Sequence, residues 1–152
     1  MKTTNLILCL LVFLYACDKN DCDGILCNTP PNPTILKLID TETNENLFTN
    51  GTFQPEDINI KNENNQSVNF TFITENAVNL IDLSEIGWNT GLHTYRILVG
   101  DDLEIDLKLH NEEQYEDCCS FYLTLEFDIS SHEYGISNTS GFYTVKIDTS
   151  IL

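Results

Sequence analysis

From Leu103 to His110 the chain alternates without a slip, with Leu103, Ile105, Leu107 and Leu109 set against Glu104, Asp106, Lys108 and His110. Successive side chains of a strand point to opposite faces. The pattern therefore buries one face and wets the other, as a half-exposed antiparallel strand requires. No segment of the chain shows a sustained helical period, so strands must carry the fold.

The rest of the chain reads the same way. Leu92 to Val99 runs up to this strand and Gly100-Asp101-Asp102 supplies a turn, so the two form a hairpin. Phe121, Leu123, Leu125, Phe127 and Ile129 alternate with Tyr122, Thr124, Glu126 and Asp128, placing those five apolar residues on one inward face. Ile35 to Asp40 is the first strand, and Phe142 to Thr149 is the last, with Tyr143, Val145 and Ile147 on one side. Asp57 to Lys61 and Ser67 to Thr74 flank the turn residues Asn62 to Asn65 and read as a second hairpin. Asn79 to Leu83 is a weaker strand. Ser84 to Gly87 and Asn111 to Asp117 each have room for a single helical turn.

Seven to eight strands at regular spacing, separated by turn signals, predict an all-β fold: an antiparallel β-sandwich of immunoglobulin-like or transthyretin-like kind. Hydrophobic residues make up 41% of the chain. With that content and this alternation, disorder is rejected from about residue 34 onward. Three segments follow: a leader at 1–16, a tether and Pro-rich linker at 17–33, and one sandwich domain at 34–152.

Lys2 opens the leader and an apolar run follows from Leu6 to Ala16. As a helix it would span roughly 16 Å, about half a bilayer core, which suits a signal peptide rather than a transmembrane anchor. The run ends in Leu14-Tyr15-Ala16-Cys17, and Asp18-Lys19-Asn20-Asp21 follows at once. That ending resembles the lipobox of bacterial lipoproteins, although Tyr15 is bulkier than the usual residue there. The resemblance implies cleavage before Cys17 and acylation of its thiol, with palmitate-type chains giving a stable membrane anchor. The acidic stretch just behind Cys17 resembles the surface-export signal of Bacteroidetes lipoproteins, implying an outer-membrane protein exposed at the cell surface. A periplasm-facing orientation is the alternative.

Once Cys9 leaves with the leader and Cys17 takes lipid, four thiols remain: Cys22, Cys27, Cys118 and Cys119. An even number in an exported chain points to two disulfides. A local solution pairs Cys22 with Cys27 and makes a strained ring of Cys118 and Cys119. A crossed solution joins the first two to the last two, in either order, closing loops of about 90 residues worth up to roughly 4–5 kcal/mol each. The crossed form is preferred. Zinc is disfavoured because neither pair has the usual knuckle spacing.

The net charge of −17 repels phosphate backbones, so no nucleic-acid partner is expected. No nucleophile elbow, zincin motif or phosphate loop is present, and His93, His110 and His132 lie in separate segments. His93 and His110 fall near one end of a single hairpin, where a ligand pair is conceivable but solvated strand residues are the better reading. We therefore expect no catalytic residues and no enzyme. Oxygen-rich stretches containing Asp21 and Asp23, and Glu113 and Asp117, are weak calcium candidates; no other cofactor is indicated. Trp88, the only tryptophan, is a weak stacking candidate for a sugar ring or partner, set against the blander role of plugging one end of the sandwich. Tyr95, Tyr115, Tyr122, Tyr134 and Tyr143 are further partly exposed aromatics.

The cysteine-then-proline start, Glu45-Asn46-Leu47-Phe48-Thr49-Asn50-Gly51 after the first strand, and Cys118-Cys119-Ser120 resemble the small, uncharacterised lipoprotein domains of flavobacteria. That resemblance implies no activity. The expectation is a non-catalytic binding or structural module, anchored in the membrane through its lipid, with an unknown protein or glycan as partner. A structural calcium-binding module and an accessory subunit of an outer-membrane transport complex are the alternatives.

Overall fold

The computed structural model describes residues 29–75, 78–137 and 141–152. The leader, Cys17, Cys22, Cys27, Asp21 and Asp23 lie outside the described residues.

Among the described residues nine strands form two sheets. In chain order they are β1 Ile35–Asp40, β2 Ile58–Asn62, β3 Thr71–Ile73, β4 Leu80–Asp82, β5 Gly91–Val99, β6 Leu103–Glu116, β7 Cys119–Ile129, β8 Tyr134–Ile136 and β9 Tyr143–Ile147. One sheet has the order β3-β4-β1-β9-β8 and the other β2-β5-β6-β7. Among these strands every ladder is antiparallel except that of β1 with β9, where Leu38 lies beside Val145. The fold is all-β, with two sheets closed over one core.

The alternation explains that core. Leu36, Leu38, Ile81, Val145 and Ile147 from one sheet meet Ile60, Ile97, Val99, Ile105 and Leu107 from the other, all fully buried. Each such side chain contributes roughly 1.5–3 kcal/mol on leaving water. Leu47 and Phe48 descend from the loop after β1, and Phe48 meets Phe72 edge-on at 4.9 Å. The buried Asn46 holds that loop in place. Its amide donates to the Asn79 carbonyl at 2.7 Å, and its side-chain oxygen accepts from Phe48 N–H at 2.9 Å. Packing thus accounts for Asn46–Leu47–Phe48 within the Glu45–Gly51 stretch. At the other flank Phe127 of β7 stacks on Tyr143 of β9 at 3.6 Å and 10°, clasping the two sheets together.

The hairpin of β5 and β6 forms as expected, turning at Gly100 with φ 65°, where any Cβ would also lie 3.3 Å from the Phe53 ring. Four expectations need correction. Ser67 to Thr74 does not return as a full hairpin partner of β2. After one bridge at Lys61–Ser67 the chain crosses to the other sheet, where β3 pairs with β4. Asn111 to Asp117 is no helical turn: β6 continues to Glu116 because β7 supplies a ladder partner for each residue from Asn111 to Glu116. The short β8 was not foreseen.

The fourth correction concerns β7. Its register against β6 shifts between His110 and Asn111: His110 faces Glu126 but Asn111 faces Thr124, so Leu125 is an extra residue. One extra residue exchanges the two faces of a strand. Phe127 and Ile129 point to the core, but Phe121 and Leu123 turn to the outer side with their partners Gln114 and Glu112. Leu123 and Leu125 are accordingly 44% and 48% exposed.

Candidate binding surface

The last rung between β5 and β6 joins Gly91 to Asn111. Beyond it, Glu112–Glu116 pairs only with the Cys119–Leu123 part of β7, and Asp117 and Cys118 make a two-residue turn with Asp117 at φ 52°. At about 3.4 Å per residue this is a two-stranded arm roughly 17 Å long, reaching past the four-stranded sheet. Its outer side carries Glu112, Gln114, Phe121 and Leu123. Its inner side carries Glu113, Tyr115, Ser120 and Tyr122.

Trp88 meets that inner side. It ends a 3-10 turn, Ser84–Trp88, whose Ile86 points into the core. Leu83 and Ile86 plug this end of the sandwich, leaving Trp88 46% exposed with its ring edge-on to Tyr122 at 5.0 Å. Tyr115 is 75% exposed, and the negative charge of Glu113 beside it raises the phenol's pKa. Two aromatic edges and a phenol next to a carboxylate thus share one face. Rings placed so offer flat apolar area with polar handles, the chemistry that stacks on a sugar ring or anchors a partner's side chain.

The turn carrying Trp88 is held from both sides. The Asn111 amide donates to the Gly87 carbonyl at 3.1 Å from inside, and Pro31 lies against Gly87 from outside. A Cβ on Gly87 would sit 2.8 Å from Pro31 Cβ, so glycine is required by the close approach. Asn111 is buried, and its Oδ1 has no hydrogen-bond partner. Just before Pro31, Thr29 bridges Phe121 in parallel, bringing the linker alongside the arm.

No family model, curated protein or solved structure matches this chain.

The remaining sequence candidates fall as follows. Glu113 lies on the inner side of the arm and Asp117 in its turn, and no group of three His, Cys, Asp or Glu able to hold a metal is gathered among the described residues. Neither Cys118 nor Cys119 is a free thiol. His93 and His110 are not brought together: His93 pairs with Leu109, the neighbour of His110, so their side chains leave opposite faces. His93 instead contacts Glu63 at 3.2 Å and the Thr90 carbonyl at 3.0 Å. Tyr95 is buried, contrary to expectation. Burial raises its pKa, and Asn89 donates to its hydroxyl at 3.1 Å. Tyr134 and Tyr143 are absorbed by the aromatic clasp around Phe127. An open groove of ≈ 640 Å³ on the outer face of the four-stranded sheet is lined by Glu63, Arg96, Asp106 and Lys108. Several of its charges are already engaged, Lys108 with Glu126 at 2.7 Å, Glu63 with His93 and Arg96 with Asn65. Sequence reasoning had both Trp88 and Tyr122 among its aromatics but not their contact, which depends on the β7 bulge.

Proposed function

We propose that this chain is a lipid-anchored, non-catalytic binding module of the bacterial outer membrane, displayed at the cell surface through acylated Cys17. Its recognition surface is the inner side of the β6–β7 arm, and its partner is a glycan or a protein side chain that rests on Trp88, Tyr122 and Tyr115. The observation that supports this reading is the half-exposed tryptophan held edge-on to Tyr122 on an arm that has left the core. An aromatic with no packing duty on its outer face has area to offer a ligand. The two packed sheets also support kinship with immunoglobulin-like or transthyretin-like surface modules.

The test joins the two halves of the proposal. The full-length chain and its Cys17→Ser variant are fractionated after growth with an alkyne analogue of palmitate, and intact cells are shaved with protease. Label and membrane retention that vanish in the variant, with the domain cut from intact cells, are the expected results. Detergent-solubilised protein is then titrated with the host's purified surface polysaccharides, and Trp88→Ala is expected to weaken binding at least tenfold without changing the melting temperature by more than a few degrees. Binding that is equal in wild type and variant would remove the arm from the proposal, and an unlabelled, soluble chain would remove the anchor.

A further inference from the structure

At the base of the β6–β7 arm, Glu113 of β6 stands directly opposite Tyr122 of β7. Side chains opposed in this way have Cβ atoms about 4.5–5.5 Å apart, which keeps the carboxylate beside the Tyr122 ring. That ring in turn meets Trp88 at 5.0 Å and 76°. The angle decides what the pair can hold. A sugar stacks on one flat face, whereas two rings near a right angle make a corner. A compact group seated in that corner meets the electron-rich faces of both rings at once, and such faces attract cations.

The electrostatics select the same ligand. From Glu112 to Asp117 the chain carries four carboxylates, and neither the arm nor the Ser84–Trp88 turn contains a Lys or Arg. In a 3-10 turn residues three apart eclipse, so Glu85 leaves on the same side as Trp88. Among the described residues the salt bridges engage Glu63, Glu126 and Glu133, and leave Glu85, Glu113 and Asp117 without a cation. An anionic ligand is repelled here and a neutral one gains nothing from the field. A cation gains from the field and from the rings together.

We infer that this surface takes an arginine or lysine side chain from a basic segment of another protein, its charged head seated in the corner of Trp88 and Tyr122 within reach of Glu113. The inference rests on the recognition surface proposed above and narrows its partner. Arginine fits better than lysine, because its planar guanidinium stacks on a ring while its N–H fork donates to a carboxylate. Glu85 and Asp117, at the rim, steer the approach and do so less as salt rises.

The test titrates the detergent-solubilised full-length chain with a terminally blocked peptide of alternating arginine and serine, followed by calorimetry. A control peptide replaces each arginine by citrulline, which has nearly the same shape and no charge. Trp88 is the only tryptophan of the chain, so its emission reports directly on the corner. The arginine peptide is expected to shift that emission and to bind about tenfold or more tightly than the citrulline peptide. Trp88→Ala and Glu113→Gln should each weaken it about fivefold or more. Asp101→Asn, in the β5–β6 turn at the far end of the hairpin, should change it less than about twofold. Glu113→Gln keeps the side chain's size and both rings, so it carries the test alone should Trp88→Ala fail to fold.

Equal binding of the two peptides, both weakened by Trp88→Ala, would overturn the cationic partner and keep the arm as the recognition surface. Equal losses in Glu113→Gln and Asp101→Asn, with Trp88 emission unchanged, would mean diffuse attraction to an acidic protein and overturn the inference. If neither peptide binds, the inference fails as well, and the polysaccharide titration with Trp88→Ala decides separately whether the recognition surface stands.

Discussion

The hydroxyl of Thr149 donates to Oδ2 of Asp40, tying the 3-10 turn that ends the chain to the last residue of the first strand. The other carboxylate oxygen accepts from Thr43 N–H at 2.7 Å, Thr43 Oγ1 at 2.9 Å and Glu42 N–H at 3.1 Å. Thr149 foremost, then the Thr43 backbone and hydroxyl, stabilise the charged form and lower its pKa from 3.8 to about 2. A carboxylate with a depressed folded pKa adds stability above its unfolded value and loses it as pH falls through the folded one. The wild-type melting temperature should therefore drop more steeply between about pH 4 and pH 2 than that of Asp40→Asn, whose contribution is missing at every pH. Parallel acid limbs for the two proteins in thermal melts would refute this.

Gly87→Ala should push the linker off the domain. The new methyl meets Pro31 at 2.8 and 3.0 Å, and overpacking of this sort costs about 1–3 kcal/mol. Pro31→Gly removes the ring that the methyl strikes, so the double variant should lose less than the two single losses combined. Urea midpoints of the four proteins close the cycle, and strict additivity would mean that the contact does not matter.

At Asn111 the sign of the effect depends on what replaces the amide. Leucine leaves the Gly87 carbonyl without its donor but also removes the unpartnered Oδ1, so the change should stay within about 1–2 kcal/mol. Aspartate is nearly the same size and buries a charge against a carbonyl, which should cost about 3–5 kcal/mol. Denaturant titration at pH 7 ranks the two, and an Asn111→Asp protein as stable as Asn111→Leu would contradict the burial described here.

Phe127→Ala should loosen the clasp between the sheets. Loss of the partly buried ring and of its stack on Tyr143 is expected to cost roughly 2–4 kcal/mol, and Phe127→Leu about half of that. Hydrogen exchange of β8 and β9 amides reports the site of loosening. Exchange that rises equally everywhere would point to a global rather than local role.

Much of this architecture was legible because its signals are local. Leu103 to His110 alternates and is preceded by a matching run, with turn residues between, so β5 and β6 could be paired from the chain alone. The bulge at Leu125 was not legible. A perfect alternation from Phe121 to Ile129 looks the same whether or not the partner strand skips a residue, because the skip is set by pairing and not by composition. Likewise Asn111 to Asp117, rich in acids, reads as room for a single helical turn. Its residues up to Glu116 are strand because the neighbouring β7 supplies hydrogen bonds, with little burial to leave a pattern. The crossing after Ser67 and the Tyr134–Gly135–Ile136 strand depend on partners far away in sequence. Of the candidate surface, the residue types were visible in Trp88, Tyr115 and Tyr122, while their shared face required the register of β7.

The extra residue at Leu125 also bears on how copies of this chain tolerate one another. β7 is the last strand of its sheet, and a long, straight, apolar margin would offer each neighbour a template on which to zip. The kink halves the straight stretch and puts two leucines out of line with each other, so a second molecule finds no continuous rail. Molecules crowded side by side would stay separate at that margin, and the exposed leucines carry little risk of fibrous growth.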